Sequence, residues 1–249
     1  MQTEYITIFG KHAVGEALRA RPDTVREVYL APETSLSDIE AILKATKIVA
    51  RVLNPKKLPK DVPVDAVHQG VVALIDPSLL MHDYDTYIGD VSVTSDTAFV
   101  LLGEVQDTQN VGSIIRSATA FGIVGILIPE HRQAPITGTV VKVSAGMAFR
   151  IPLIRIGNVN TTMADLKSRG FWIYGLDQGA SQSIYTEGFE KPSVFIVGNE
   201  ATGIREKTLE HCDIPLRIPM HGTAESLNAA VATAVVLSAW SSKHPGALG

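Results

Sequence analysis

The sequence predicts an α/β protein whose larger, C-terminal part holds a mostly parallel β-sheet. Residues 98–249 alternate between short apolar runs, typical of buried strands, and longer segments with helical periodicity. Several of the apolar runs end in polar loops that contain glycine, and ligands bind at such strand ends in open α/β sheets. Hydrophobic residues make up 45% of the 249 residues, which is enough to build a core for this fold.

The alternation predicts six strands and five helices in residues 98–249. The strands are expected near residues 99–105, 124–128, 151–155, 171–176, 194–197 and 214–218. The helices are expected near residues 111–121, 138–145, 160–169, 205–210 and 227–240. We expect Ser226 to cap the last helix, because a serine hydroxyl can accept a hydrogen bond from a free N–H group of the first turn.

A smaller α/β domain is predicted for residues 1–76. Its helices are expected at residues 11–20 and 37–46, and its strands at residues 25–30, 48–53 and 71–75. Residues 77–97 show neither helical nor strand periodicity, and the segment 76–97 carries five acidic residues and no lysine or arginine. We therefore interpret residues 77–97 as an acidic linker before the larger domain, residues 98–249.

Composition and charge exclude several classes of function. The net charge is −4 and the acidity is concentrated in residues 76–97, so the chain is not a strong, non-specific polyanion binder. A local basic patch remains compatible with a structured RNA. Cys212 is the single cysteine, which excludes an intramolecular disulfide framework and fits a reducing compartment. The sequence shows no secretory signal and no long apolar run, so we expect a cytoplasmic protein without a membrane partner.

Polar and small residues cluster in three segments, at residues 103–122, 194–204 and 218–235. The first and second segments each lead from an apolar strand into a polar loop. Arg116 is notable because it stands in the first turns of a helix that is otherwise apolar on its inner face. The third segment leads into a helix rich in alanine, which allows close approach of another backbone or a flat ligand. Taken alone, the composition of that helix favours ordinary C-terminal packing.

Together the three segments resemble the three motifs of the SpoU branch of the knotted RNA methyltransferases. The matching residues, in chain order, are Asn110, Gly112, Arg116 and Ala118; Gly198, Asn199, Glu200 and Gly203; and Ile218, Pro219, Met220, Gly222, Ser226, Leu227 and Asn228. The ordered set spans about half the chain and is highly specific. One departure follows Asn228: the family usually continues with Val-Ser-Val-Ala, whereas this chain has Ala-Ala-Val-Ala and lacks one hydroxyl.

The resemblance implies methylation of a ribose 2′-hydroxyl in structured RNA, with S-adenosylmethionine as cofactor. It implies catalytic roles for Arg116, Asn110, Glu200, Ser226 and Asn228. It implies cofactor contacts from Gly198, Asn199, Ile218, Met220, Gly222 and Leu227. A guanidinium normally stays protonated, so we favour electrostatic stabilisation of the ribose oxygen by Arg116, with direct proton abstraction as the alternative. The resemblance further implies a C-terminal trefoil knot and a homodimer formed through the C-terminal domain.

The N-terminal region carries a second resemblance. FGKHAVGEALRA, VREVYLA and HQGVVALI resemble the domain joined to many SpoU-type enzymes, whose fold is similar to the ribosomal protein L30e/L7Ae group. In that family the domain helps to bind substrate RNA. The sequences of these segments are most similar to those of enzymes that modify a guanosine of large-subunit (23S) ribosomal RNA. The phosphate-contact candidates are Arg19, Lys56, Lys57 and Lys60, although a solvated charged face is the more usual account of any single one of them. A transfer RNA substrate is the alternative.

Other functions fit the sequence less well. A dinucleotide-binding G-x-G-x-x-G fingerprint is absent, and residues 198–203 are not followed by the Lys-Ser/Thr pair of a phosphate-binding P-loop. The potential metal ligands match no zinc spacing, so we expect no metal: His211, Cys212 and His221. A non-catalytic RNA-binding or ribosome-assembly relative remains as the competitor from another class, and the presence of Arg116 argues against it.

Overall fold

A computed structural model of the chain describes residues 5–32, 36–54, 59, 62 and 67–249. The chain divides into two compact units. The first unit comprises Met1–Met81 and Pro135–Arg150, and the second comprises His82–Ala134 and Ile151–Gly249. Each unit has its own β-sheet.

The described residues form twelve strands and eight α-helices. The strands are β1 (Ile6–Phe9), β2 (Val25–Leu30), β3 (Ala50–Val52), β4 (Val71–Ile75), β5 (Met81–Asp83), β6 (Ala98–Leu102), β7 (Gly125–Pro129), β8 (Leu153–Ile156), β9 (Trp172–Leu176), β10 (Gln182–Ser183), β11 (Ser193–Val197) and β12 (Ile214–Arg217). The helices are α1 (Lys11–Ala20), α2 (Ser37–Thr46), α3 (Tyr84–Gly89), α4 (Thr108–Ala120), α5 (Gly138–Val143), α6 (Val159–Ser168), α7 (Glu206–Leu209) and α8 (Ala229–Ser241).

The first unit is a four-stranded sheet in the order β1-β4-β2-β3, with β2 and β3 parallel and the other pairs antiparallel. Helix α1 buries Val14 and Leu18 on one face, as the four-residue spacing predicts. Helix α5 packs against β1, and a Cβ at Gly138 would lie 2.1 Å from the carbonyl oxygen of Thr7. Glycine is therefore required for this close approach, which places α5 in the first unit.

The second unit is an eight-stranded sheet in the order β10-β12-β9-β11-β6-β7-β8-β5. Every neighbouring pair from β10 to β8 is parallel. The predicted mostly parallel sheet is thus confirmed, and each strand and helix predicted in residues 98–249 is present with its ends displaced by a few residues. Because the strands are parallel, the loops that follow them gather at one edge of the sheet. No helix in the described ranges is long and apolar enough to cross a membrane.

Residues 77–97 were expected to lack regular structure, and this is wrong. They contain a 3₁₀ turn, strand β5 at the sheet edge, and helix α3. Helix α3 places Ile88 in the core of the second unit, with Tyr84 and Tyr87 packed against it. These three residues have the i, i+3, i+4 spacing of a helix, but six residues are too few for the pattern to stand out from the acidic background.

Helix α8 begins two residues later than predicted, and its cap is Asn228 instead of Ser226. The side-chain oxygen of Asn228 accepts hydrogen bonds from the backbone N–H groups of Ala230 and Val231, at 2.9 and 3.3 Å. Asparagine and serine cap helices about equally well, so residue type alone does not choose between them. A tertiary contact favours Asn228, because its side-chain nitrogen also donates a hydrogen bond to the side-chain oxygen of Asn110.

Candidate active site

A cavity of about 460 Å³ lies in the second unit, at the carboxyl ends of β9, β11 and β12 and beside the start of α8. Its size falls in the range of about 300–1,000 Å³ that is usual for small-molecule sites. Four of the six predicted cofactor-contact residues line it: Gly198, Asn199, Ile218 and Leu227. Two do not: Met220 and Gly222 belong to the loop before α8, where Met220 lies 3.9 Å from the side-chain nitrogen of Gln178 on the cavity wall.

Gly198 brings two backbone segments together at the end of β11. A Cβ at this position would lie 2.3 Å from the carbonyl carbon of Gly203 and 2.4 Å from the nitrogen of Ile204. Asn199 and Gly203 form a reciprocal backbone pair at 3.0 and 2.9 Å, and Gly203 has a φ of +67°. The close approach therefore requires glycine at position 198, and the left-handed backbone at position 203 favours glycine.

The cavity walls combine aliphatic side chains with polar groups at the rim. Leu216, Ile218 and Leu227 supply flat apolar surface. Asp177 and Gln178, at the end of β9, supply polar groups that our sequence reasoning missed. The sequence could have indicated them, because Asp177 and Gln178 directly follow an apolar strand, as the motif loops do. An adenosyl group, which is a flat apolar ring on a hydroxyl-bearing sugar, fits this combination of walls and the clearance at Gly198.

A hydrogen-bonded network connects the three predicted motif segments. The buried side chain of Asn110, on α4, donates to a carboxylate oxygen of Glu200 at 2.8 Å and accepts from the side chain of Asn228 at 2.9 Å. Glu200 also accepts from the backbone N–H groups of Gln106 and Asp107, at 3.2 and 3.1 Å. The structure thus brings Asn110, Glu200 and Asn228 together at the start of α4.

Glu200 is held in its ionised form by this network. Burial acts to raise the pKa of the Glu200 carboxyl, but the hydrogen bond from Asn110 and those from nearby backbone N–H groups together outweigh it. The net pKa lies below the ordinary value of 4.5, so the carboxylate is charged at neutral pH. A fixed negative charge therefore stands beside the cavity, where Glu200 is one of the lining residues.

Arg116 and Ser226 stand outside the hydrogen-bonded network. Arg116 is exposed on α4, and among the described residues its guanidinium has no hydrogen bond or ion pair. Its candidate partners are engaged elsewhere: Glu104 pairs with Arg205 at 2.8 Å, and Asp107 caps α4. Ser226 is exposed and lines the cavity. The guanidinium of Arg116 is therefore available to an external group.

The predicted RNA contacts lie in the first unit. Arg19 is exposed at the end of α1, with one guanidinium nitrogen 3.4 Å from Glu16. The other three candidates, Lys56, Lys57 and Lys60, lie outside the described residues. No group of three or more potential metal ligands is found in the ranges that the structure describes.

Comparison with known protein families gives a match over more than half of the chain. Residues 97–238 match the SpoU rRNA Methylase family. The chain belongs to this family. Residues 7–80 match a second family, described as RNA 2′-O ribose methyltransferase substrate binding. The SpoU-family chain is thus an RNA ribose 2′-O-methyltransferase.

Two curated relatives cover nearly the whole chain. The chain is 34% identical over 233 residues to the 23S rRNA (guanosine-2′-O-)-methyltransferase RlmB of Pseudomonas putida, covering 92% of this chain and 93% of the relative. It is 37% identical over 234 residues to RlmB of Xanthomonas axonopodis pv. citri, with coverage of 92% and 93%. Among solved structures, the SpoU methyltransferase AviRb from Streptomyces viridochromogenes in complex with AdoMet superposes with a TM-score of 0.83, at 25% identity, covering 97% of this chain and 91% of AviRb.

Proposed function

We propose that this SpoU-family enzyme transfers a methyl group from S-adenosylmethionine to the 2′-hydroxyl of a guanosine in 23S ribosomal RNA. The observation that carries the proposal is the network of Asn110, Glu200 and Asn228 beside a cavity built from the second and third motif segments. The named activity of the two RlmB relatives supports the choice of substrate. Ribosomal RNA as substrate implies that the enzyme works in the cytoplasm.

S-adenosylmethionine supplies an electrophilic methyl group on a positively charged sulfur. The residues of this chain that would hold it are Gly198, Asn199, Ile218 and Leu227. Aliphatic walls exclude water from the adenine, and clearance at Gly198 allows its close approach. Ser226 and Asn228, at the start of α8, would fix the loop over the reacting groups.

Arg116 is the candidate for the chemical step. A ribose hydroxyl is a very weak acid, so attack requires that negative charge developing on its oxygen be stabilised. The free guanidinium of Arg116 carries a permanent positive charge and five N–H donors, which suits both that oxygen and a neighbouring phosphate. Asn110 and Glu200 do not touch Arg116; instead they position the first turns of α4, the helix that carries it.

The first unit would recruit the RNA. Its match to the substrate-binding family and the exposed position of Arg19 support this role. We assign it a fold of the L30e/L7Ae kind, and we assign the second unit the trefoil knot that the SpoU resemblance implies. The proposed domains are residues 1–76 and residues 98–249, to which α3 adds its core residue Ile88, whereas α5 packs in the first compact unit.

The working form would be a homodimer assembled through α8. One face of α8, including Thr233, Val236, Leu237 and Trp240, is buried in the second unit. The opposite face, with Val231, Ala234, Val235 and Ser238, lines an open apolar groove together with Ser113 and Ser117 of α4. In the described part of the chain nothing covers this groove. A helix that is apolar all round needs burial on both faces, and a second copy supplies it.

The test is a comparison of RNA from cells with and without the gene. Mapping of 2′-O-methyl groups should show one guanosine of 23S rRNA that loses its methyl group in the deletion strain and regains it on complementation. If the methyl group is lost only from a transfer RNA, the proposed reaction stands but the proposed substrate is wrong. Calorimetry with S-adenosylmethionine distinguishes the enzyme from a non-catalytic RNA-binding relative, because such a relative has no need to bind the cofactor.

A further inference from the structure

A second cleft of about 610 Å³ opens beside the cofactor cavity, at the carboxyl ends of β6, β7 and β8. Gly103, Pro129 and Gly157, at the ends of these strands, form part of its lining. We refer to it as the β6–β8 cleft. Ile204 lines both the β6–β8 cleft and the cofactor cavity, so the two share a wall. A ligand in the cleft would therefore lie next to a ligand in the cavity.

The charged side chains of the β6–β8 cleft are mainly cationic. Three basic side chains face two carboxylates, and a histidine adds ring nitrogens: Arg132, Arg205, Lys207, Glu104, Glu206 and His131. This surplus of positive charge stands out in a chain whose net charge is −4. Lys207 is exposed, and its ammonium has no ion pair within the described ranges. The cleft is thus suited to an anionic ligand.

Internal pairing leaves most of the donors in the cleft unused. The carboxylate of Glu104 lies 2.8 Å from Arg205 and 4.0 Å from Arg132, so one anion is shared by two guanidinium groups. Each guanidinium carries five N–H donors, and the two side chains are 53% and 64% exposed. Glu104 and Arg132 both have positive φ, 68° and 57°, a conformation that residues with a side chain adopt rarely and often at binding sites.

The lining favours phosphate over a base or a metal ion. His131 is the one aromatic ring among the described lining residues, so the cleft offers little surface for base stacking. The described residues contain no cluster of metal ligands. Guanidinium and ammonium groups are the usual partners of phosphate oxygens, which fix the position of a nucleic acid without reading its sequence.

We propose that the β6–β8 cleft binds the phosphodiester backbone of the substrate RNA next to the target nucleotide, through Arg132, Arg205 and Lys207. This inference rests on the proposed RNA methylation and adds to it a positioning site separate from the first unit. Because the cleft and the cofactor cavity share Ile204, a strand held in the cleft is kept close to the reacting groups.

The test removes two cations from the cleft without disturbing the Glu104–Arg205 pair. Arg132→Asn and Lys207→Asn are combined, since asparagine tolerates the left-handed backbone at position 132. The matched control combines Arg169→Asn and Lys191→Asn, which removes two exposed cations just before β9 and β11, at the opposite edge of the sheet. The substrate is 23S rRNA from the deletion strain, and both methylation kinetics and direct filter binding are measured over a range of salt concentrations.

We expect the cleft variant to raise KM and the dissociation constant for rRNA about tenfold, and to reduce the salt slope by about 1 per lost phosphate contact. The affinity for S-adenosylmethionine and kcat at saturating RNA should match those of the control. Equal rRNA binding and equal salt slopes for the two variants would overturn the inference. A cleft variant that no longer binds guanosine monophosphate but still binds rRNA as the control does would also contradict the inference, because the cleft would then hold a free nucleotide. A wild-type enzyme that never methylates rRNA would instead refute the proposed function, and filter binding would still test the cleft.

Discussion

Asn110 uses both ends of its side-chain amide, donating to Glu200 and accepting from Asn228. An aspartate of the same shape could not donate, and an alanine would leave both partners without this contact. Because Asn110 is almost fully buried, each of these bonds is shielded from competing water. One residue thereby joins α4, the loop after β11 and the cap of α8, and the three motif segments act as a unit.

At Arg116, the proposed chemistry makes a quantitative prediction. In Arg116→Ala we expect the single-turnover rate at saturating RNA to fall by roughly 10²–10³, as when one oxyanion donor is removed. Binding of S-adenosylmethionine should stay within a few-fold, because Arg116 does not line the cavity. Arg116→Lys should recover little, since an ammonium cannot reproduce the two parallel bonds of a guanidinium.

Arg169→Ala is the control for Arg116→Ala. Arg169 is also exposed, but it pairs with Asp165 at 2.7 Å within its own helical turn. An ion pair of this kind contributes at most about 1 kcal/mol to stability, so turnover should be normal. A near-normal single-turnover rate for Arg116→Ala would end the catalytic assignment.

Glu200 makes stability depend on pH in acid. Its pKa is depressed in the folded state by the bonds from Asn110 and the backbone, despite the opposing effect of burial. Its contribution is therefore full above the ordinary pKa of 4.5 and is lost as pH falls through the lower folded value. In urea unfolding, Glu200→Gln should be less stable than wild type at about pH 6, and the difference should shrink at about pH 3.5. The exposed Glu225→Gln serves as control, and a pH-independent difference for Glu200→Gln would contradict the argument.

Among the elements, the turn after β11 depends on glycine for its shape. Gly198→Ala would place a methyl group 2.3 Å from the carbonyl carbon of Gly203, so the backbone of the turn must move. We expect a loss of about 1–3 kcal/mol in unfolding free energy and a large loss of S-adenosylmethionine affinity by calorimetry. Gly89→Ala is the control, because a Cβ there meets nothing within 4 Å. If Gly198→Ala bound S-adenosylmethionine with wild-type affinity, this turn would not be part of the cofactor site.

Element type was predictable wherever the local pattern extended over enough residues. The apolar runs of β6 and β11 and the periodicity of α4 identified those elements directly. Tertiary contacts decided the rest: α3 is stabilised by the core that it joins, and the place of α5 in the first unit follows from its packing on β1, which is far away in sequence. The cap of α8 likewise depends on a hydrogen bond that Asn228 donates to Asn110, 118 residues distant, which no local pattern contains.

For the candidate site, the sequence supplied residue types and the fold supplied their arrangement. Asn110, Glu200 and Asn228 were selected by resemblance to family motifs, and their mutual hydrogen bonds appear only in the folded chain. Asp177 was missed because it follows β9 outside those motifs. The β6–β8 cleft was missed for a related reason: its cations come from the loop after β7 and from the start of α7, and neither segment forms a basic run in the sequence.

At the scale of the whole molecule, α8 carries the last prediction. Light scattering at micromolar concentration should give a mass near twice 26.7 kDa. Val231→Asp should give a monomer, because a carboxylate in an apolar interface loses its hydration without gaining a partner. Val231 is 49% exposed in the single chain, so the variant should keep its fold and its circular dichroism spectrum. Val93→Asp, at an exposed valine away from the groove, should remain dimeric. A monomeric wild type, or a dimeric Val231→Asp, would rule out assembly through this face of α8.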